Sequence, residues 1–229
     1  MKYIYCHPLF DERKCAHRFS YQLSLAFEKK ALELERFDYE GTGEADGQFS
    51  DVTMESLRYD LEKIANNDDS CLIGTRFGAN VVYDHCCINT SKVKTAILIE
   101  PMINGRSYTE YLFRKQHLKD MMTGNTSGLL SGSGFCNLEG YKTSSKFLEQ
   151  IKQVHLEEMT DQIKVDAVHV VQISASCKIN TEFAMFADAL QKSGIKTSVG
   201  VFNLPIFWER IPDSDYSILT KKIVEWCSE

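Results

Sequence analysis

Short runs of apolar residues alternate along the chain with longer stretches in which apolar residues recur every three or four positions. The runs predict β-strands at 2–6, 31–37, 71–74, 94–100, 167–174 and 196–202, and the helical spacing predicts α-helices at 13–30, 53–66, 77–88, 181–194 and near 214–227. Thr53, or Asp51 slightly earlier, is a candidate N-cap of the second helix. Strands that alternate with helices predict an α/β fold with about six mostly parallel strands and helices on both faces.

The alternation stops after the fourth strand of this pattern. Residues 101–160 form a longer and more varied connection than the others, and residues 123–135 within it are rich in Gly and Ser. Loops that carry binding residues lie at the carboxyl edge of a parallel sheet. We therefore expect a single domain over residues 1–229, with residues 101–160 inserted into it as a lid.

Composition and charge exclude several classes of protein. The chain has 229 residues and a net charge of −6, and it lacks a basic stripe with interleaved aromatic residues, which argues against nucleic-acid binding. No apolar run reaches the roughly 18 residues that a membrane span needs, and the first residues do not form a signal peptide. The eight cysteines include no C-x-x-C pair and no zinc-type spacing. We expect a cytoplasmic protein without a metal or another cofactor.

Residues 72–82 read LIGTRFGANVV, and a predicted strand enters this segment while a predicted helix leaves it. The pattern is that of G-x-S-x-G, the strand–turn–helix that presents the nucleophile of serine hydrolases, but Arg76 stands at the central position. A guanidinium stays protonated in proteins and therefore cannot attack a carbonyl. Gly74 and Gly78 favour a tight turn with close strand–helix packing.

Further segments agree with this turn. They are HPLF at residues 7–10 with Glu12 after it, RFDYEGTGEADGQF at 36–49, NLEGYKTS at 137–144 and NLPIFWER at 203–210. Together they resemble the α/β-hydrolase superfamily in its serine-aminopeptidase-like branch, and more closely the exosortase-associated hydrolases, in which the turn often reads G-x-R-x-G. The resemblance covers nearly the whole chain. It implies a minimal α/β-hydrolase fold that lacks the two antiparallel strands that usually come first.

The resemblance also implies where a catalytic triad would lie. The acid would follow the fifth strand, at residues 174–180, and the histidine would follow the last strand, at residues 204–210. The first segment reads SASCKIN and has no carboxylate, and no histidine follows His169. With Arg76 in place of the nucleophile, all three triad positions depart from the pattern.

An oxyanion hole needs only backbone N–H groups, which here would belong to Leu9 and Phe77. Phe77 opens a predicted helix, whose positive end adds to the site. Together with the guanidinium of Arg76 these donors suit a carboxylate, a phosphate or another anion. The alternative is that Arg76 pairs with an internal carboxylate, such as Glu100 or Glu209, and one role does not exclude the other.

Four further residues belong to the candidate site. His7 follows the first strand, where it could act as a general acid or base or could shape the oxyanion loop. Phe207 and Trp208 could form a wall of the ligand pocket, or they could pack in the core. Glu100 is a candidate ligand contact as well as a candidate ion-pair partner.

Two functions are compatible with these residues. The first is a protein that lacks the Ser-His-Asp triad and binds a small anionic or acyl-bearing ligand, as a pseudoenzyme or accessory protein in a bacterial biosynthetic pathway, with a further protein of that pathway as a partner. The second is an active hydrolase or acyltransferase on an ester, thioester or peptide. In that alternative Arg76 and the oxyanion hole polarise the carbonyl, and His7 or a carboxylate activates water.

Overall fold

The computed structural model describes residues 1–66, 68–88, 93–124, 134–211 and 213–228. The strands are β1 (Lys2–Cys6), β2 (Leu34–Phe37), β3 (Ser70–Thr75), β4 (Val93–Ile99), β5 (Phe135–Leu138), β6 (Tyr141–Ser144), β7 (Ala167–Ile173) and β8 (Lys196–Phe202). The helices are α1 (Phe10–Glu28), α2 (Met54–Ala65), α3 (Phe77–Ile88), α4 (Gly105–Thr123), α5 (Ser145–Lys152), α6 (Thr181–Lys192) and α7 (Ser217–Trp226). None of these helices is both long and apolar enough to cross a membrane.

Six strands form one sheet in the order β2-β1-β3-β4-β7-β8, and every pairing in it is parallel. The predicted α/β fold with six parallel strands is therefore confirmed. Parallel neighbours place all carboxyl ends at one edge of the sheet, so the turns after β1, β3, β4, β7 and β8 meet there. This edge carries the candidate site.

The side chains of successive strand residues enter two separate cores. Ile4 of β1 packs with residues of α2, α3 and α6 on one face, and Tyr5 packs with residues of α1 and α7 on the other. On this second face Gln22 of α1 donates a hydrogen bond to the carbonyl of Ser214 and accepts one from the N–H of Tyr216, both at 2.9 Å. Both faces of the sheet are thus covered, which parallel sheets require.

Most element boundaries follow the hydrophobic pattern. Helix α3 and strand β8 begin and end where the sequence predicts. Thr53 is the N-cap of α2: its hydroxyl accepts from the N–H of Ser56 at 3.1 Å, and the Ser56 hydroxyl accepts in return from the N–H of Thr53 at 2.9 Å. Strand β2 begins at Leu34 rather than at residue 31, because Ala31 has φ +56° and helps close the end of α1.

The connection between β4 and β7 contains structure that the sequence pattern did not predict. It comprises α4, the antiparallel hairpin of β5 and β6, and α5; residues 125–133 of its Gly- and Ser-rich stretch lie outside the described residues. The side-chain amide of Asn80 in α3 donates to the carbonyl of Met102 at 2.7 Å and accepts from its N–H at 2.9 Å. This buried pair of hydrogen bonds fixes the start of the connection against the helix that follows the candidate turn.

Candidate functional site

Arg76 occupies the sharp turn between β3 and α3. Its φ is +54°, in the left-handed region that residues other than glycine rarely adopt, and its N–H donates to the carbonyl of Ile99 at 2.8 Å. A non-glycine residue in this conformation between a strand and a helix is the geometry that presents a nucleophile in serine hydrolases. The turn is therefore built as the sequence predicts, with an arginine at its apex.

The two glycines that flank the turn are required by close backbone contacts. A Cβ atom on Gly74 would lie 2.5 Å from the N and Cα atoms of Ala79, and one on Gly78 would lie 2.3 Å from the carbonyl oxygen of Cys6 and 2.5 Å from that of His7. Because these are backbone atoms, they cannot rotate away. Glycine at these two positions thus allows the start of α3 to lie in close contact with β3 and with the end of β1.

The partner of Arg76 is Glu12, in the first turn of α1. The Nε atom of Arg76 lies 3.3 Å from both carboxylate oxygens of Glu12, and its Nη2 lies 3.1 Å from Oε1. The expectation that Glu100 or Glu209 pairs with Arg76 is therefore corrected. The side chain of Glu12 is fully buried and that of Arg76 is 12% exposed. Burial raises the pKa of the Glu12 carboxyl, while the Arg76 charge acts to lower it.

Helix phase explains why Glu12 points inward. It precedes the buried residues Ala16, Phe19 and Leu23 at spacings of four, seven and eleven residues, which place all four on the inner face of α1. A carboxylate on the apolar stripe of a helix signals a buried partner, because an unpaired buried charge is costly. That signal is present in the sequence and could have identified Glu12.

Two aromatic rings enclose the guanidinium of Arg76. Its Cζ atom lies 5.1 Å from the ring centroid of Trp208 and 5.8 Å from that of Tyr108, which belongs to α4. Cation–π contacts of this kind hold the guanidinium plane in place. Trp208 thus lies at the turn while also packing in the core under α1 and α7, and its role as a pocket wall stays a prediction. Tyr108 is a residue of the turn that sequence reasoning missed.

A second ion pair comes from the insertion. The Nζ atom of Lys115 on α4 contacts Oε1 of Glu139, which lies in the tight turn of the hairpin, and the Glu139 side chain is 2% exposed. Both residues act electrostatically on Glu12, and Glu139 also acts on Tyr108. The carboxylates of two ion pairs, Glu12 from the body of the domain and Glu139 from the insertion, are thus both buried and both act electrostatically on Tyr108.

The segments of the predicted oxyanion hole are in contact. Leu9 immediately precedes α1 and Phe77 is the first residue of α3, and both are buried. Neither backbone N–H has a hydrogen-bond acceptor in the part of the chain that the structure describes. Two uncommitted N–H groups next to a helix N-terminus are able to bind an anion or a polarised carbonyl.

Glu100 and Phe207 are occupied by contacts of their own. Glu100 follows β4, and its Oε1 accepts a hydrogen bond from the N–H of Ile173 at 2.6 Å; burial raises the pKa of its carboxyl. Phe207 is fully buried, and its ring stacks on that of Phe19 with centroids 4.2 Å apart. Glu100 thus supports the end of β7, and Phe207 fills the core beneath α1 and α7.

His7 lies in a buried and electrostatically mixed environment. Its ring makes an edge contact with Tyr5, with centroids 4.9 Å apart, and its Nδ1 atom has no hydrogen-bond partner among the described residues. Burial lowers its pKa from 6.5 to about 4, with Arg13 and Arg36 acting in the same direction and Asp38 against it. His7 is therefore neutral at physiological pH, and none of its described contacts is with Arg76.

Acidification is expected to destabilise the protein through His7. The unfolded chain takes up a proton near the ordinary pKa of 6.5, whereas the folded chain takes it up only near 4. Between these values the unfolded state binds more protons, so stability is fully present above pH 6.5 and falls by about 3 kcal/mol as the pH drops to 4. Urea unfolding measured over this pH range should show a smaller loss of stability in His7→Gln than in wild type. An equal loss in both proteins would show that His7 is not the group responsible.

The parallel sheet and the strand–turn–helix at Arg76 define a protein with the α/β-hydrolase fold, and solved structures agree. The structure of ferulic acid bound to Est1E from Butyrivibrio proteoclasticus gives a TM-score of 0.68 at 14% identity and covers 99% of this chain and 89% of that one. Mouse alpha/beta hydrolase domain-containing protein 10 gives a TM-score of 0.61 at 14% identity, and the match covers 99% of this chain and 89% of the mouse chain. The enol-lactonase of Burkholderia xenovorans also gives a TM-score of 0.61 at 14% identity, and the match covers 100% of this chain and 92% of the enol-lactonase chain.

These superpositions show the fold, and at such identities they show nothing finer. No family model matches the sequence, and no curated protein matches it. No cluster of His, Cys, Asp and Glu that could hold a metal ion is found among the residues that the structure describes. What this site can bind or catalyse therefore depends on the side chains at the turn.

Proposed function

We propose that this protein is an α/β-hydrolase-fold pseudoenzyme or accessory protein that binds a small carboxylate or acyl compound at Arg76. The observation that carries the proposal is the Arg76–Glu12 ion pair at the apex of the turn, where a hydrolase of this fold has its nucleophile. The insertion between β4 and β7 acts as the lid of this site. The motif resemblance supports a bacterial biosynthetic pathway, a cytoplasmic location and a further pathway protein as partner.

The guanidinium retains hydrogen-bond donors for a ligand. Glu12 engages Nε and Nη2, and the Nη1 group has no described hydrogen bond. Because the side chain is 12% exposed, part of it is open to an incoming group. A carboxylate or carbonyl oxygen at this position would receive charge-assisted hydrogen bonds from Nη1 in addition to those from the N–H groups of Leu9 and Phe77.

The ion pair also limits what Arg76 can do. Its charge is largely balanced by Glu12, so it attracts an anion less strongly than an unpaired arginine would. Affinity would then come mainly from directed hydrogen bonds and from the dipole at the start of α3. That balance favours a singly charged carboxylate or a neutral acyl group over a phosphate. Ferulic acid, the compound named with Est1E, is itself a carboxylic acid.

The rival function is hydrolysis or acyl transfer without serine. The observation in its favour is the neutral, unpartnered Nδ1 of His7, which could accept a proton from water. Against it, His7 shares no described contact with Arg76. Without a nucleophile or a positioned base, the oxyanion hole alone would give weak catalysis.

Turnover separates the two functions. We expect wild type, Arg76→Ala and His7→Ala to hydrolyse a panel of short p-nitrophenyl esters and acyl thioesters no faster than buffer, with thiols blocked in every assay. Turnover by wild type that is lost in His7→Ala, or in Arg76→Ala under conditions where circular dichroism shows that the variant is folded, would refute the pseudoenzyme proposal and establish non-serine catalysis at the turn.

Binding tests the positive half of the proposal. We expect calorimetry with butyrate and ferulate to detect binding to wild type, and Arg76→Lys to weaken it about tenfold, because lysine keeps the charge but loses the planar donors. Arg58→Lys is the matched control, since Arg58 forms its own half-buried ion pair with Asp84 at 2.8 Å. Equal affinity in wild type and Arg76→Lys would show that Arg76 does not bind the ligand.

A further inference from the structure

Two buried polar atoms in the insertion lack partners, and both lie close to the Arg76 site. The hydroxyl of Tyr108 and the Oε2 atom of Glu139 have no hydrogen-bond partner among the described residues, although these residues are only 3% and 5% exposed. A buried donor or acceptor that is left unpaired has lost its hydrogen bonds to water without a replacement, which destabilises the fold. Unpaired buried polar groups are few in native proteins, and a bound molecule that hydrogen-bonds to them is one explanation for two within the same cluster.

The contacts form a continuous path from the turn to these atoms. The guanidinium of Arg76 faces the ring of Tyr108, and the rings of Tyr108 and Tyr111 stack with centroids 6.2 Å apart. The Nζ atom of Lys115 lies 5.9 Å from the Tyr111 ring and also contacts Glu139. The unpaired atoms therefore belong to the same cluster as Arg76, on the side formed by the insertion.

The chemistry of these atoms specifies what they would recognise. Glu139 is paired through Oε1 with Lys115, so its Oε2 is a carboxylate oxygen that only accepts hydrogen bonds. The Tyr108 hydroxyl both donates and accepts. A ligand that satisfies both must itself carry an O–H or N–H group.

We propose that Tyr108 and Glu139 form a donor-recognising subsite, so that the ligand of this protein is a hydroxy- or amino-substituted acyl compound. Its carboxylate or carbonyl end lies at Arg76 and its hydroxyl or amine end lies against Glu139. This inference deepens the function proposed above and rests on it for the placement of the acyl end. Specificity then comes from the insertion, and the acyl-binding groups come from the body of the domain.

The test compares butyrate with the hydroxybutyrates that carry the hydroxyl on the second, third or fourth carbon, and with butanol as a probe that has the donor alone. We expect at least one hydroxybutyrate to bind wild type about tenfold more tightly than butyrate, the effect of one hydrogen bond to a charged group. The ratio of the butyrate dissociation constant to the hydroxybutyrate dissociation constant should fall toward one in Glu139→Gln and in Tyr108→Phe. Tyr111→Phe is the matched control, because its hydroxyl already bonds Glu209, and it should keep the preference.

A stability measurement distinguishes a binding role from a structural one. Tyr108→Phe removes a buried hydroxyl that has no partner among the described residues, so the unliganded variant should melt at the same temperature as wild type or higher. A marked drop in melting temperature would show that the hydroxyl stabilises the fold instead, and would count against the subsite.

The remaining outcomes separate this inference from the proposed function. Binding of butyrate that depends on Arg76, with no preference for any hydroxybutyrate, would overturn the subsite and leave the proposed function standing. Binding of butanol that depends on Glu139, without any binding of butyrate, would support the subsite and refute acyl binding at Arg76. No binding of any of these probes would overturn both.

Discussion

Arg76→Ala is expected to lower the free energy of unfolding by about 3 kcal/mol or more. The substitution leaves the Glu12 carboxylate in a position with no solvent exposure and without its bidentate partner. The backbone contributes little to the difference, because alanine and arginine both carry a Cβ and pay a similar cost at φ +54°. Urea denaturation at neutral pH, followed by circular dichroism, measures this loss.

A second substitution identifies the cause. Glu12→Gln in the Arg76→Ala background should recover stability, because a neutral amide costs less to bury than an unpaired carboxylate. In an otherwise wild-type chain the same Glu12→Gln change should destabilise, because it weakens the partner of Arg76. The sign of the Glu12→Gln effect therefore depends on residue 76. Destabilisation of similar size in both backgrounds would show that the ion pair is not what Arg76 contributes.

The Arg76→Ala variant should also respond differently to pH. Burial already raises the pKa of the Glu12 carboxyl, and removing the arginine charge raises it further. The folded variant then holds a proton that the unfolded chain releases, so its stability falls as the pH rises above the ordinary glutamate pKa of 4.5 and through the raised pKa of the folded state. The double variant, in which Glu12→Gln is combined with Arg76→Ala, lacks the carboxyl and should not show this decline.

Gly78→Ala is expected to prevent folding or to cost more than about 4 kcal/mol. The new methyl group would lie 2.3 Å from the carbonyl oxygen of Cys6, which the parallel sheet holds in place, and 2.5 Å from that of His7, the residue after β1. Helix propensity favours the opposite result, since alanine in a helix is preferred over glycine by about 1 kcal/mol. If Gly78→Ala yields little soluble protein that unfolds cooperatively, the cause is therefore the close contact with the backbone after β1 and not helix propensity.

Gly194→Ala is the control for this second prediction. Gly194 follows α6 with φ +83°, and a Cβ there would meet no described atom within 4 Å. Its substitution should cost about 1 kcal/mol, from backbone conformation alone. If the Gly78 and Gly194 variants lost similar amounts of stability, the close approach of α3 to β1 would not be the reason for glycine at position 78.

The framework of the fold could be predicted because its signals are local. Periodicity along β3, α3 and β8 locates these elements, and the hydroxyl of Thr53 identifies the start of α2. The turn at Arg76 follows from two glycines around one residue. The same reasoning missed α4, whose buried side includes the polar residues Thr109 and Gln116 beside Tyr108 and Leu112 and therefore lacks a clean apolar stripe.

The partners within the site could not be read from the chain in the same way. Glu12 and Arg76 are separated by 64 residues. The candidates were Glu100 at the end of a strand and Glu209 near the C-terminal pocket edge; Glu100 acts on Arg76 only electrostatically, and the ion pair is with Glu12. Which carboxylate reaches the turn depends on the rotational phase of α1 relative to the sheet, and that phase is set by packing. Lys115 and Glu139 meet only because the insertion folds into a helix and a hairpin, neither of which the sequence pattern predicts.

The contact between the first and the last helix has a consequence for folding during synthesis. Gln22 of α1 is bonded to the backbone of Ser214 and Tyr216, and Phe19 stacks on Phe207. Until a ribosome has made residues 207–226, α1 can pack on the strands but lacks the part of its cover that these residues supply. The opposite face of the sheet can assemble earlier, since α2 and α3 follow β1 closely in the chain. Closure of the α1 face is thus a late event, and a nascent chain stalled before residue 207 would expose that face to chaperones.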